Sequence, residues 1–173
     1  MTLKKKWLRW QRQQKLNKRP YTPALKDVRR RAMDLLARRE HGITELSRKL
    51  KTKGFDPELV DEVIQELVND NLVSDQRFCE SMIHSRFNRG HGPVKVRYEL
   101  RSKGIADQII EGVMGELAPD WQQVLVDLIK KKYAGSLSGT PAERAKKVRF
   151  LSSRGFPQDM IFFAMRDAGF DQD

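Results

Sequence analysis

The chain has one cysteine, Cys79, and three histidines in 173 residues. A single thiol closes no internal disulfide, which suits a reducing cytosol. Metal-ligand chemistry is thin: Cys79, His84 and His91 are the only close grouping, and their spacings match no zinc pattern. His84 falls on the same predicted helix as Cys79 but on another face, so Cys79 reads as a small core residue beside Phe78. No apolar run approaches the length of a bilayer span, and the basic N-terminus lacks the apolar stretch of a secretory signal. There is no Gly-x-Ser-x-Gly elbow and no Gly-x-x-x-x-Gly-Lys phosphate loop. Acidic residues are scattered over helix faces, where solvation accounts for them. Strand alternation is absent. These gaps exclude the common catalytic chemistries and leave an all-α, non-enzymatic protein with no cofactor and no metal.

What is present is a repeat. Leu50-Lys51-Thr52-Lys53-Gly54-Phe55 returns as Leu100-Arg101-Ser102-Lys103-Gly104-Ile105, and again as Leu151-Ser152-Ser153-Arg154-Gly155-Phe156. The glycines stand 50 and then 51 residues apart. Five, six, nine and ten residues beyond them come Leu59, Val60, Val63, Ile64; Ile109, Ile110, Val113, Met114; and Met160, Ile161, Ala164, Met165. Those offsets trace one face of an α-helix. A basic residue followed by glycine is a helix C-terminus, with Gly in the left-handed conformation just past the end.

Helix starts recur as well. Gly42 and Gly92 each precede their repeat leucine by eight residues, and Pro93 fits the first helical position. Thr22-Pro23 and Asp56-Pro57 are N-cap and proline starts, and Thr140-Pro141-Ala142-Glu143 is a capping box. The Thr140 box begins farther upstream of its leucine, so that helix should be one turn longer. Asn71 takes the helix-ending place that glycine might fill. Helices are expected over 23–40, 43–53 and 57–69; 75–89, 93–103 and 107–117; and 120–133, 141–154 and 157–168. The opening helices carry apolar stripes at Val28, Ala32, Leu35, Leu36; at Phe78, Met82, Ile83, Phe87; and at Trp121, Val124, Leu125, Leu128, Ile129. The organisation is therefore a basic arm over 1–21 and three tandem three-helix repeats over 22–73, 74–118 and 119–173. A three-helix copy buries little alone, so the copies should lean on each other in an elongated, curved array.

The net charge of +11 resides in residues 1–31, which hold twelve Lys and Arg against one acid, Asp27. The remaining bases and acids cancel. In the arm, Trp7 and Trp10 stand among Lys4, Lys5, Lys6, Arg9 and Arg12, a composition able to fold onto nucleic acid, an acidic protein groove or anionic lipid. A flexible tail is the expected resting state. The body is polarised instead: residues 75–103 have seven bases against three acids, whereas 56–70 have six acids and no base. Arg77, Arg86, Arg89, Lys95, Arg97, Arg101 and Lys103 are the partner-binding candidates, with helical spacing that lines several of them up. The competing reading is a merely solvated face. Neither the first nor the third copy offers a clearly basic recognition helix, which argues against a helix-turn-helix DNA binder. A membrane-surface adaptor held by the arm is a further alternative. Arg89-Gly90-His91-Gly92-Pro93 leads into a helix start as a phosphate cradle would, but a tight interhelical turn is the favoured reading.

The run Ser74-Asp75-Gln76-Arg77-Phe78, then Arg86, Gly90, Gly92-Pro93, Val96-Arg97, Glu99-Leu100 and Lys103-Gly104-Ile105, resembles the signature of the RecX family, bacterial modulators of the RecA recombinase. Arg39-Glu40-His41-Gly42-Ile43-Thr44-Glu45-Leu46 resembles that family's first-unit motif. The likeness covers about residues 24–170. Gly42 stands where the family usually has a capping Ser, and Ser74 where it often has an Asp; both replacements can still cap. The resemblance implies a cytoplasmic protein without cofactor that binds in the helical groove of the RecA–single-stranded DNA filament. There it would block filament extension or promote disassembly, suppressing ATP hydrolysis, strand exchange and co-protease activity. Beside the resemblance, a monomer with weak direct DNA binding and no membrane partner is expected, and a helical protein acting directly on DNA is the alternative function.

Overall fold

The computed structural model describes residues 23–133 and 140–167. Among the described residues there are α-helices and no strands. They are α1 (Pro23–Leu36), α2 (Ile43–Thr52), α3 (Pro57–Asn69), α4 (Asp75–Phe87), α5 (Pro93–Ser102), α6 (Asp107–Leu117), α7 (Trp121–Tyr133), α8 (Pro141–Ser153) and α9 (Gln158–Asp167). The arm and Thr22 lie outside the described residues. Two compact units result. One holds the described residues through Cys79 together with Lys103–Ile105, and the other holds the rest.

The repeated apolar offsets become the core. In all three copies the first of the four positions is half-buried and the other three are buried: Val60, Val63, Ile64; Ile110, Val113, Met114; Ile161, Ala164, Met165. In the first unit, α1 packs on α2 and α3, and Val28, Ala32 and Leu36 close over Leu46, Leu50 and Leu67. In the third copy, α9 packs on α7 and α8 around Leu125, Ile129, Leu151 and Phe156. Phe87 and Trp121 meet edge-on with centroids 5.4 Å apart. Cys79 is fully buried, while His84 is exposed on the same helix.

The helix-ending glycines are left-handed in every copy, with φ of 86°, 84° and 89° at Gly54, Gly104 and Gly155. Asn71 (φ 54°) does the same after α3, where the Leu72 N–H donates to the Leu67 carbonyl and the Asn71 N–H to that of Val68. Ala118 (φ 38°) ends α6 left-handed without any glycine to announce it. Helix α1 stops a turn before its expected end because the Arg38 N–H closes a tight bond to the Leu35 carbonyl. The chain then leaves the helix in time for Arg39 and His41 to reach α2.

Helix starts divide by copy. Asp56 caps α3 through the Glu58 and Leu59 N–H groups, and Thr140 with Glu143 forms the full capping box on α8. At three residues longer than α2 or α5, α8 has the extra turn expected of it. Gly42 makes no side-chain cap on α2; the Ile43 N–H donates instead to Asp75 Oδ1 at 2.7 Å. A carboxylate on α4 thus caps α2. Asp75→Ala is expected to lower the unfolding free energy in urea titrations by about 1–2 kcal/mol, the worth of a lost cap, while Asp75→Asn retains most of the stability.

Candidate partner-binding surface

The seven basic candidates separate once their partners are visible. Arg77 is half-buried; its Nε donates to Glu40 Oε1 at 3.2 Å and its terminal nitrogens to the side chain and carbonyl of Asn71. Lys103 donates to Glu45 Oε1 at 3.1 Å. Arg86 pairs with Glu99, and Arg101 with Asp107 at 2.6 Å. Arg97 grips Glu111 with two bonds of 2.8 and 2.9 Å, which raises its own pKa and lowers that of Glu111. Among the described residues only Arg89 and Lys95 of the seven form no ion pair. Arg77 and Lys103 belong to the first unit, and the other five to the second.

The surplus counted over 75–103 is therefore largely answered by acids outside that stretch: Glu40, Glu45, Asp107 and Glu111. The same correction applies to Arg29, counted with the basic arm. It is only 2% exposed and donates to Glu66 at 2.8 Å and Asp70 at 2.6 Å, tying α1 to α3.

Charge counting also passed over the apolar part of the surface. On α5, Pro93, Val96 and Leu100 are buried, which turns Val94 and Tyr98 outward, 55% and 71% exposed. They stand at i and i+4, with Arg97 and Arg101 on the same outer arc. A helical projection around the buried stripe would have found them. An exposed tyrosine beside arginines held in place by carboxylates is the chemistry of a protein-contact anchor, since ordered side chains lose little entropy on binding. Helix α9 likewise exposes Phe162 and Phe163, with the Arg166 guanidinium 5.6 Å from the Phe163 ring.

The glycine-rich turn before α5 has no room for a phosphate. The Gly92 N–H donates to the Arg154 carbonyl at 2.8 Å and the Val94 N–H to that of Gly155 at 3.0 Å, and Pro93 has no N–H. A Cβ on Gly92 would overlap the Gly155 carbonyl, so the turn ending α8 is seated on the N-terminus of α5. A related seat exists in the first unit. A Cβ on Gly104 would come within 2.9 Å of the Thr44 side chain on α2, and one on Gly42 within 3.1 Å of Ile105. The stretch read as phosphate cradle or tight turn is a turn that receives the next copy, and the turn before α2 does the same.

These features define a class: a tandem helical-repeat protein whose copies are joined by glycine turns. Family models for the first, second and third three-helix domains of RecX match residues 29–67, 74–114 and 120–165. The regulatory protein RecX of Pseudomonas savastanoi pv. phaseolicola is 48% identical over 134 residues, covering 78% of this chain and 86% of that one. That of Pseudomonas fluorescens is 42% identical over 144 residues, covering 83% and 93%. In structure, crystalline RecX from Lactobacillus salivarius superposes with a TM-score of 0.70 at 22% identity, over 84% of this chain and 96% of the other. The chain belongs to the RecX family of regulatory proteins.

Proposed function

We propose that this protein binds the filament of RecA on single-stranded DNA and inhibits its ATP hydrolysis, strand exchange and co-protease activity, by blocking extension or promoting disassembly. The observation that carries the reading is the match of all three family domains along the chain. The contact is centred on α5, where Val94 and Tyr98 supply apolar area between Arg97 and Arg101. Arg89 and Lys95, without ion pairs among the described residues, add charge; Arg77, Arg86 and Lys103 act by holding the scaffold. Such a regulator works as a monomer in the cytoplasm, and no helix is long and apolar enough to cross a membrane among the described residues.

The test is RecA ATP hydrolysis on single-stranded DNA with the protein added at sub-stoichiometric ratios. Inhibition is expected; an unchanged rate would sink the proposal. Tyr98→Ala separates contact from folding, because Tyr98 is 71% exposed. A central aromatic anchor contributes about 2 kcal/mol or more, so inhibition should need about thirtyfold more protein, with an unchanged melting temperature. Equal potency would move the contact off α5.

A further inference from the structure

The cations of the second copy rest largely on carboxylates, but among the described residues Lys131, Lys132 and Arg154 of the third form no such pair. Residues 130–154 contain eight bases and one acid, Glu143, and that acid is engaged in the α8 capping box. Lys132 Nζ lies 4.4 Å from the centroid of Phe150, and the Arg154 guanidinium lies 5.2 Å from the same ring. Phe150 is in turn edge-on to Tyr133, at 6.4 Å and 90°. An aromatic ring holds a cation in place by its quadrupole without neutralising it. Arg154 also donates to the Arg89 carbonyl at 3.3 Å, which brings the end of α4 alongside. Arg89 and Lys131 then line one open groove of about 480 Å³ with Leu128 and Asp127, the latter bonded to Gln123. Among the described residues, none of Arg89, Lys131, Lys132 and Arg154 is paired with a carboxylate, and residues 134–139 contain no acid.

We infer that these four residues form a binding site for the phosphate backbone of single-stranded DNA. A run of localised, uncompensated cations attracts a polyanion and releases its counterions. Phosphate contacts need charge and position but no side-chain pocket. The exposed large apolar residues that would anchor an acidic protein, Val94, Tyr98, Phe162 and Phe163, do not line this groove. The cations come from the ends of α4, α7 and α8 rather than from one helix face, so a flexible strand can follow them where a duplex groove would not fit. Both cations approach the Phe150 ring, which leaves it a seat for charge rather than a platform for bases, and binding is independent of sequence.

The site shares Arg89 with the RecA contact, but the oligonucleotide alone is the ligand here and none of the variants that test it touches Arg89, so the two readings fail separately. The experiment is fluorescence anisotropy of labelled oligo-dT with the full chain over a range of salt. Each lost phosphate contact removes about 0.7 from the log–log salt slope, so Lys131→Gln, Lys132→Gln and Arg154→Gln together should lower it by about 2 and weaken binding about tenfold or more. Arg38→Gln, Arg48→Gln and Lys53→Gln make the same change of charge on the first copy and should leave the slope nearly intact. Lys131→Glu with Lys132→Glu spares the Arg154 turn and should weaken binding at least as much. An unchanged slope in both site variants, or an equal loss in the first-copy control, would overturn the site. Tighter binding to duplex of the same length, or better competition by oligo-glutamate than by oligo-dT at equal charge, would overturn the ligand.

Discussion

Glu45→Ala is expected to lower the unfolding free energy by about 3 kcal/mol, towards the low end of the range for breaking a buried ion pair from one side. The Glu45 carboxylate is 2% exposed in the first turn of α2. Arg39 grips it at 2.9 and 3.0 Å, Lys103 reaches it at 3.1 Å, and Lys49 stands 3.9 Å away. Burial alone would raise its pKa, but the bonds from Arg39 and Lys103 outweigh it and bring the group down to about 2. Removing the carboxylate leaves three cations facing one another. Their side chains are 46%, 32% and 39% exposed, so they rehydrate in part, which keeps the loss from reaching the top of that range.

The same group sets an acid limit. A carboxylate whose folded pKa is depressed contributes stability that is complete above its ordinary value and lost as pH falls through the folded one. Between pH 4.5 and about 2 the protein should therefore lose about 3 kcal/mol from Glu45. His41 acts earlier. Burial, aided by Arg39, holds its pKa below 6.5, and its Nε2 lies 3.1 Å from the Lys49 ammonium, which donates to the neutral ring. Stability should begin to fall once pH drops below 6.5 and the unfolded chain takes up that proton. Urea unfolding of the parent protein and Glu45→Gln between pH 7 and pH 3 checks both steps. The variant should keep the histidine step and lose most of the lower one; parallel curves throughout would disprove the assignment to Glu45.

Gly155→Ala is the second large effect, and its two sister positions serve as controls. All three repeat glycines have nearly the same positive φ, so alanine at any of them costs about 1–2 kcal/mol in backbone strain. The surroundings differ. Around Gly54 nothing stands within 4 Å, a methyl on Gly104 would press on the Thr44 side chain at 2.9 Å, and one on Gly155 would overlap Lys95 down to its backbone nitrogen. A flexible side chain can move, but a helix backbone cannot do so alone, and overpacking of that kind adds about 1–3 kcal/mol. The expected order of thermal destabilisation is Gly54→Ala, then Gly104→Ala, then Gly155→Ala, the last reaching about 4 kcal/mol. Equal losses at the three sites would mean that the α8 turn is not seated on α5.

Local patterning made much of this legible. The Leu-x-x-basic-Gly-apolar repeat marked the left-handed turns at Gly54, Gly104 and Gly155. Its downstream offsets named Val60, Val63 and Ile64, with their counterparts, as core, and Asp56 and Thr140 announced their own caps. These features depend on neighbours within a turn or two of helix. Charge did not read out in the same way. Arg77 and Glu40 are 37 residues apart, as are Arg29 and Glu66, so the count over a segment says little about which cations remain unpaired. Tyr98 escaped notice because composition does not distinguish an aromatic on the outer arc of a helix from one on the inner. The cap on α2 was hidden for a further reason: its carboxylate, Asp75, arrives from the following copy.

The seated turns also set two kinds of helix start apart. Gly42 and Gly92 precede α2 and α5, and the absence of a side chain at each admits the turn that ends the middle helix of the following copy. The corresponding place before α8 holds Thr140, which is exposed and satisfies its own helix with Glu143. Gly92 leaves the start of α5 to the Gly155 turn, whereas Thr140 and Glu143 satisfy the start of α8 from within their own helix. The start of α5 thus works as a socket for a neighbouring turn, and that of α8 as one already filled by its own chain.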